Sequence, residues 1–66
     1  METEGKILLA RLFAKWVHFK QQIDPTFVPT QLNLEGWLQN NGYPRIFVYD
    51  VWRFYETPEY VQELGV

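Results

Sequence analysis

Residues 4–23, EGKILLARLFAKWVHFKQQI, decide the fold because they form the longest uninterrupted helical pattern in the chain. No Pro or Gly follows Gly5 in this segment, and Thr3 lies where a helix cap is expected. An arc of roughly half the cylinder is apolar, wider than the ~100° stripe of an ordinary surface helix, so we expect neighbours on two sides. At about 100° per residue, its members are Leu8, Leu9, Leu12, Phe13, Trp16, Val17, Phe19 and Ile23.

A short seam typical of paired helices lies within this arc. It is only about two heptads long, so packing inside the domain is the first interpretation and a homodimer the second. At alternating spacings of three and four, the seam consists of Leu9, Leu12, Trp16, Phe19 and Ile23.

A second helix is predicted from Gln31 to Asn41. Asp24-Pro25 ends the first helix, because the residue before a proline is pushed out of the helical region. Thr30 is a good N-cap, and Gly42 suits the left-handed position after the helix. The expected core contacts of this helix are Leu34, Trp37 and Leu38.

A third helix is predicted to begin at Pro44, which suits a first helical position, and its pattern of polar and apolar faces runs from Arg45 to Glu56. Its many strand-forming residues leave a strand over this segment as the alternative. The expected core face consists of Phe47, Val48, Val51, Trp52, Phe54 and Tyr55.

Thr57-Pro58 opens a short fourth helix that ends at Gly65, with Tyr60, Val61 and Leu64 as its apolar contacts. The pattern therefore predicts an all-α fold: one compact three-to-four-helix domain over residues 1–66, with a long N-terminal helix.

The aromatic content is high for so short a chain, with five Phe, four Tyr and three Trp among 66 residues. Each can bury on the order of 150–250 Å², which supplies area that a small core otherwise lacks. Because Trp and Tyr are also favoured interface anchors, we expect some of these residues to face a partner.

Charge and composition restrict the function classes. The net charge is −2, which argues against a dedicated nucleic-acid domain, although a local patch could still act. No apolar run reaches the ~18 residues of a membrane span, the N-terminus lacks a signal-peptide pattern and cysteine is absent. These features predict no integral membrane segment and a cytoplasmic location.

Groups for catalysis are scarce. The chain has no Ser or Cys, and its one histidine, His18, lies on a basic stripe with Arg11 and Lys15. Glu59 and Glu63 lie one turn apart and are interpreted as solvated acids, and the four glycines form no phosphate-binding loop. The sequence therefore predicts a non-enzyme without cofactor or metal.

The second and third helices resemble a helix-turn-helix pair. If the third helix reads DNA, Arg45, Tyr49 and Arg53 face the major groove, where arginine can bind guanine. Arg11 and Lys15 are then candidates for phosphate contacts. The opposing interpretation is that Arg53 forms ordinary surface ion pairs with nearby carboxylates.

We therefore expect a small regulatory module that binds a protein partner as a homodimer. A helix-turn-helix DNA-binding transcriptional regulator is the alternative, and a peripheral membrane helix is a third, weaker one. Ile46 is informative because it is apolar yet lies on the polar side of its helix. The expected partner contacts are Leu9, Phe13, Trp16, Ile46, Tyr49 and Arg53.

Overall fold

Four α-helices and one 3₁₀ turn make up the fold in the computed structural model, which describes residues 2–61. They are α1 (Thr3–Ile23), α2 (Gln31–Asn40), the turn Arg45–Phe47, α3 (Val48–Glu56) and α4 (Pro58–Val61). The all-α prediction is confirmed, and the alternative of a strand at Arg45 to Tyr55 is wrong. The predicted Leu64 contact and the stop at Gly65 lie outside the described residues, as does Glu63.

The bounds of α1 agree with the predicted helix to within one residue. Glu2 occupies the N-cap without a side-chain hydrogen bond, so Thr3 is the first helical residue and its predicted capping role is wrong. At the other end, the Asp24 carboxylate accepts hydrogen bonds from the Thr26 amide (3.1 Å) and hydroxyl (2.6 Å). These bonds lower the pKa of Asp24 and fix the loop that leaves α1.

Phe13 is the centre of the core and is fully buried. Its ring stacks on Trp16 of α1 at 5.6 Å and meets Trp37 of α2 edge-on at 5.6 Å. On α3, Tyr55 approaches it at 5.1 Å and Trp52 at 6.5 Å. One aromatic side chain thus joins three helices. Around it lie Leu9, Ala10, Val17, Leu34, Leu38, Val48 and Val51.

The buried face of α1 is rotated from the predicted arc. Ala10 and Ala14 are buried, whereas Phe19 and Ile23, both inside that arc, are exposed. The small alanine side chains let α3 and α4 pack closely against α1, and these are its main neighbours. The expectation of neighbours on two sides is therefore wrong for the outer part of the arc.

The predicted signals at both ends of α2 are confirmed. Thr30 forms a capping box with Asn33, in which the Thr30 hydroxyl accepts from the Asn33 amide and the Asn33 side chain accepts from the Thr30 amide. Gly42 follows the helix at φ +77°, a backbone conformation that favours glycine. Leu34 and Leu38 are buried as predicted, and Trp37 is half-buried.

The third predicted helix begins differently from expectation. Pro44 precedes a 3₁₀ turn, so it is not the first residue of an α-helix, and α3 begins only at Val48. Val48 and Val51 are buried as predicted. The Lys6 ammonium lies 2.6 Å from Asp50 and 5.1 Å from the centre of the Phe47 ring, which ties the start of α1 to α3.

The aromatic residues are mostly used in packing. Of the twelve, only Phe19 and Tyr49 are exposed, and the others are buried or half-buried. The high aromatic content is therefore explained first by the core of a short chain.

Replacing Phe13 with Ala is expected to lower the free energy of unfolding by about 3–5 kcal/mol, because the cavity would lie where three helices meet. Chemical denaturation followed by circular dichroism measures this loss. The matched control is Phe19→Ala on the same helix, expected to cost no more than about 0.5 kcal/mol. Equal losses at the two positions would contradict the burial assigned to them.

The Lys6–Asp50 pair predicts a pH dependence of stability. The hydrogen bond and charge of Lys6 lower the pKa of the Asp50 carboxyl below its ordinary value of 3.8. The pair therefore stabilises the fold fully above pH 3.8, and this stability is lost as pH falls through the lowered pKa. Urea unfolding should show a smaller acid-induced loss for Asp50→Asn than for the wild type. Equal losses would mean that the pair contributes nothing.

Candidate interaction surface

Two of the predicted contact residues on α1 belong to the core. Leu9 and Phe13 are buried, so in this fold neither side chain can reach a partner. Trp16 is half-buried and keeps one part of its ring at the surface. The physical reason is the rotation of α1 toward Ala10 and Ala14.

The outer face of α1 carries four exposed apolar side chains, which we call the α1 stripe. Leu8, Leu12, Phe19 and Ile23 retain 55%, 37%, 59% and 68% of their surface. Their positions place them within about 60° of one another around the helix. Leu12, Phe19 and Ile23 also belong to the seam predicted from the sequence, and Trp16, another of its five members, is half-buried. The predicted seam therefore lies mostly at the surface.

Basic side chains border the α1 stripe. Lys15 is exposed on one side, and Lys20 lies on the other, with its ammonium 5.7 Å from the centre of the Trp16 ring and 5.9 Å from that of Phe27. Arg11 donates from Nε to the Tyr60 carbonyl at 2.7 Å, so it helps to hold α4 against α1. Of the predicted basic stripe, Arg11 is thus structural, whereas Lys15 and His18 are exposed.

A groove of about 460 Å³ opens beside the α1 stripe, between α1 and α2. Trp16 and Trp37 form apolar walls, Leu32 lies at its edge and Gly36 contributes bare backbone. Trp16 lies one turn from both Leu12 and Phe19, so the groove and the stripe are continuous. Sequence reasoning missed this groove, although the glycine in the middle of a helix was a signal for it.

A smaller apolar patch lies on the 3₁₀ turn and α3. Ile46 and Tyr49 are 78% and 70% exposed, which confirms that Ile46 has no core role. Arg53 is exposed one turn further along α3. That these three residues contact a partner stays a prediction.

The pair formed by α2 and α3 has charges that bear on the DNA-binding alternative. Arg45 lies 3.5 Å from Glu35, so a neighbouring carboxylate offsets its charge. Asp50 lies in the first turn of α3, and its lowered pKa keeps it negative. Both carboxylates are paired with a cation, Glu35 with Arg45 and Asp50 with Lys6, so the pairing of Arg45 is what weighs against DNA contact. Recognition of DNA by Arg45, Tyr49 and Arg53 stays a prediction.

His18, for which no catalytic role is expected, lies at the surface. His18 is exposed, and its ring lies 3.1 Å from the Gln22 amide nitrogen. Within residues 2–61, no three side chains of His, Cys, Asp or Glu lie together as metal ligands. In the same range, no helix has an apolar run long enough to cross a lipid bilayer.

The chain matches no protein-family model, no curated protein and no solved structure.

Ile46→Glu is expected to leave the fold intact, because the side chain projects from the 3₁₀ turn into solvent. The free energy of unfolding should change by no more than about 0.5 kcal/mol, measured by urea denaturation. The control is Val51→Glu, which places a charge in the core and should prevent stable folding. A large loss of stability with Ile46→Glu would show that this segment is oriented differently.

Proposed function

We propose that this domain is a non-enzymatic protein-interaction module that binds a partner chain along the α1 stripe. The observation that carries the proposal is the exposure of Leu8, Leu12, Phe19 and Ile23 on one helix face. Contiguous exposed apolar surface with a polar rim is typical of interaction sites on soluble proteins. Such a module would regulate its partner by binding to it and covering part of its surface.

The rim of the stripe has the composition of an interface edge. Charged residues are depleted at interface centres, and the rim is polar. Here Lys15 and Lys20 border the apolar side chains, and no carboxylate occurs between Leu8 and Ile23. The chain as a whole has a net charge of −2, so this face differs in sign from the rest of the molecule.

The same charges bear on the proposed homodimer. In a two-fold symmetric interface, residues close to the axis meet their own copies. The middle of the stripe lies at Lys15 and Trp16, so an antiparallel symmetric dimer centred on this face brings the two Lys15 side chains together. A different chain therefore fits the α1 stripe better than an antiparallel second copy does, and the homodimer stays a prediction that sedimentation tests directly.

The proposal is tested by comparing the proteins retained from an extract of the source cells on three immobilised forms of the domain. Phe19→Ser combined with Ile23→Ser removes two exposed anchors, whereas Ile46→Ser makes the same kind of change on the α3 patch. Proteins that the wild type and Ile46→Ser retain should fall at least about tenfold with the double variant, since an interface anchor contributes about 2 kcal/mol or more.

Folding of all three forms is checked by circular dichroism. Equal retention by the double variant and the wild type would contradict binding at the α1 stripe. Loss with Ile46→Ser alone would move the contact to the α3 patch.

A further inference from the structure

Gly36 has no conformational reason to be glycine. It lies in the interior of α2, and Gly42 is the one described glycine with a positive φ. Glycine in a helix interior is less stable than alanine, because more backbone entropy is lost on folding. The backbone of α2 would therefore gain from a side chain at this position.

Packing within the domain does not require glycine there either. A Cβ atom at position 36 would meet no heavy atom of residues 2–61 within 4 Å, so none of the described helices approaches too closely for a side chain. The space above Gly36 is the groove between Trp16 and Trp37. Because residue 36 has no side chain, the bottom of this groove stays open.

We infer that the partner of the α1 stripe is an acidic amphipathic helix, and that one of its large apolar side chains enters the groove over Gly36. The inference rests on the proposed function and specifies the partner that the same surface fits. The two tryptophans supply apolar walls for such an anchor. The exposed amide of Asn40 lies at the rim, where it can meet polar groups of the partner.

The acidic character of the partner follows from the charges beside the stripe. Lys15 and Lys20 border the stripe along its length, and both are cations, whereas Arg11 is bonded to the Tyr60 carbonyl. A helix with carboxylates beside its apolar face would place them near Lys15 and Lys20. Charge complementarity of this kind speeds association and rejects basic partners.

A helix fits the stripe better than an extended segment does. The backbone groups of α1 are paired within the helix, and the described residues form no strand that could offer a sheet edge. An extended chain laid on the apolar stripe would leave its own amides and carbonyls unpaired. A helix satisfies those groups internally and presents side chains at the spacing that the stripe shows.

The test uses a phage-displayed library of random peptides of about 16 residues, matched to the length of residues 8–23. The library is selected on the immobilised wild-type domain, and enriched peptides are synthesised and their dissociation constants measured by fluorescence anisotropy. We expect enriched peptides with net negative charge and apolar residues at helical spacing. Enrichment of basic or proline-rich peptides, or no enrichment over the bare support, would overturn the inference.

The groove is tested with Gly36→Leu, which fills it, and with Gln39→Leu, which adds the same side chain to α2 outside it. Gly36→Leu should weaken the peptides at least about tenfold, as expected for loss of one interface anchor, while Gln39→Leu leaves affinity unchanged. Thermal unfolding should show that both variants remain folded. Equal affinity for Gly36→Leu and the wild type would overturn the groove as the anchor site.

The two sets of variants test binding at the α1 stripe and anchoring in the groove separately. Binding that is lost with Phe19→Ser and Ile23→Ser but kept with Gly36→Leu leaves the proposed function standing and removes the groove. Two other occupants of the α1 stripe would overturn the inference. A membrane surface would be shown by co-sedimentation of the domain with vesicles that contain phosphatidylserine but not with pure phosphatidylcholine. A second copy of the chain would be shown by a wild-type dimer that the same double variant dissociates.

Discussion

The packing of three helices around Phe13 is the interaction on which the rest of the structure depends. A chain of 66 residues can bury only one small apolar core. In this core a single buried ring joins α1, α2 and α3. Once Phe13 is in place, Ala10 and Ala14 face α3 and α4. Within residues 2–61, no element covers the opposite side of α1, and the α1 stripe is the direct result.

This arrangement gives α1 two separate tasks. Its inner side organises the core through Phe13 and is held in position by the Lys6–Asp50 pair and by the bond from Arg11 to the Tyr60 carbonyl. Its outer side combines exposed apolar side chains with cations. We interpret the outer side as the interaction surface because the fold gains nothing from exposing Phe19 and Ile23 to water.

Local signals in the sequence predict most of the helix ends, with Thr3 and Pro44 as the exceptions, and they predict the orientation of α1 less well. The capping residue Thr30, the stop at Gly42 and the break at Asp24-Pro25 act within a few residues, so they can be recognised without the fold. Which side of α1 is buried depends on how closely α3 and α4 approach, and a helical wheel that ranks large side chains above alanine does not contain that information. For the same reason Leu9 and Phe13 were predicted as contacts, while the groove at Gly36, built from two distant segments, was not predicted.

The central claim is that the apolar arc of α1 is divided into a buried half and a half that is open to solvent. Methyl NMR spectra of the free domain, recorded with a soluble paramagnetic agent, measure this division directly. The account predicts strong relaxation enhancement for the methyl groups of Leu8, Leu12 and Ile23, and little for those of Leu9, Leu34 and Leu38. Protection of Leu8 and Ile23 equal to that of Leu9 would contradict it, because the outer face would then be covered already.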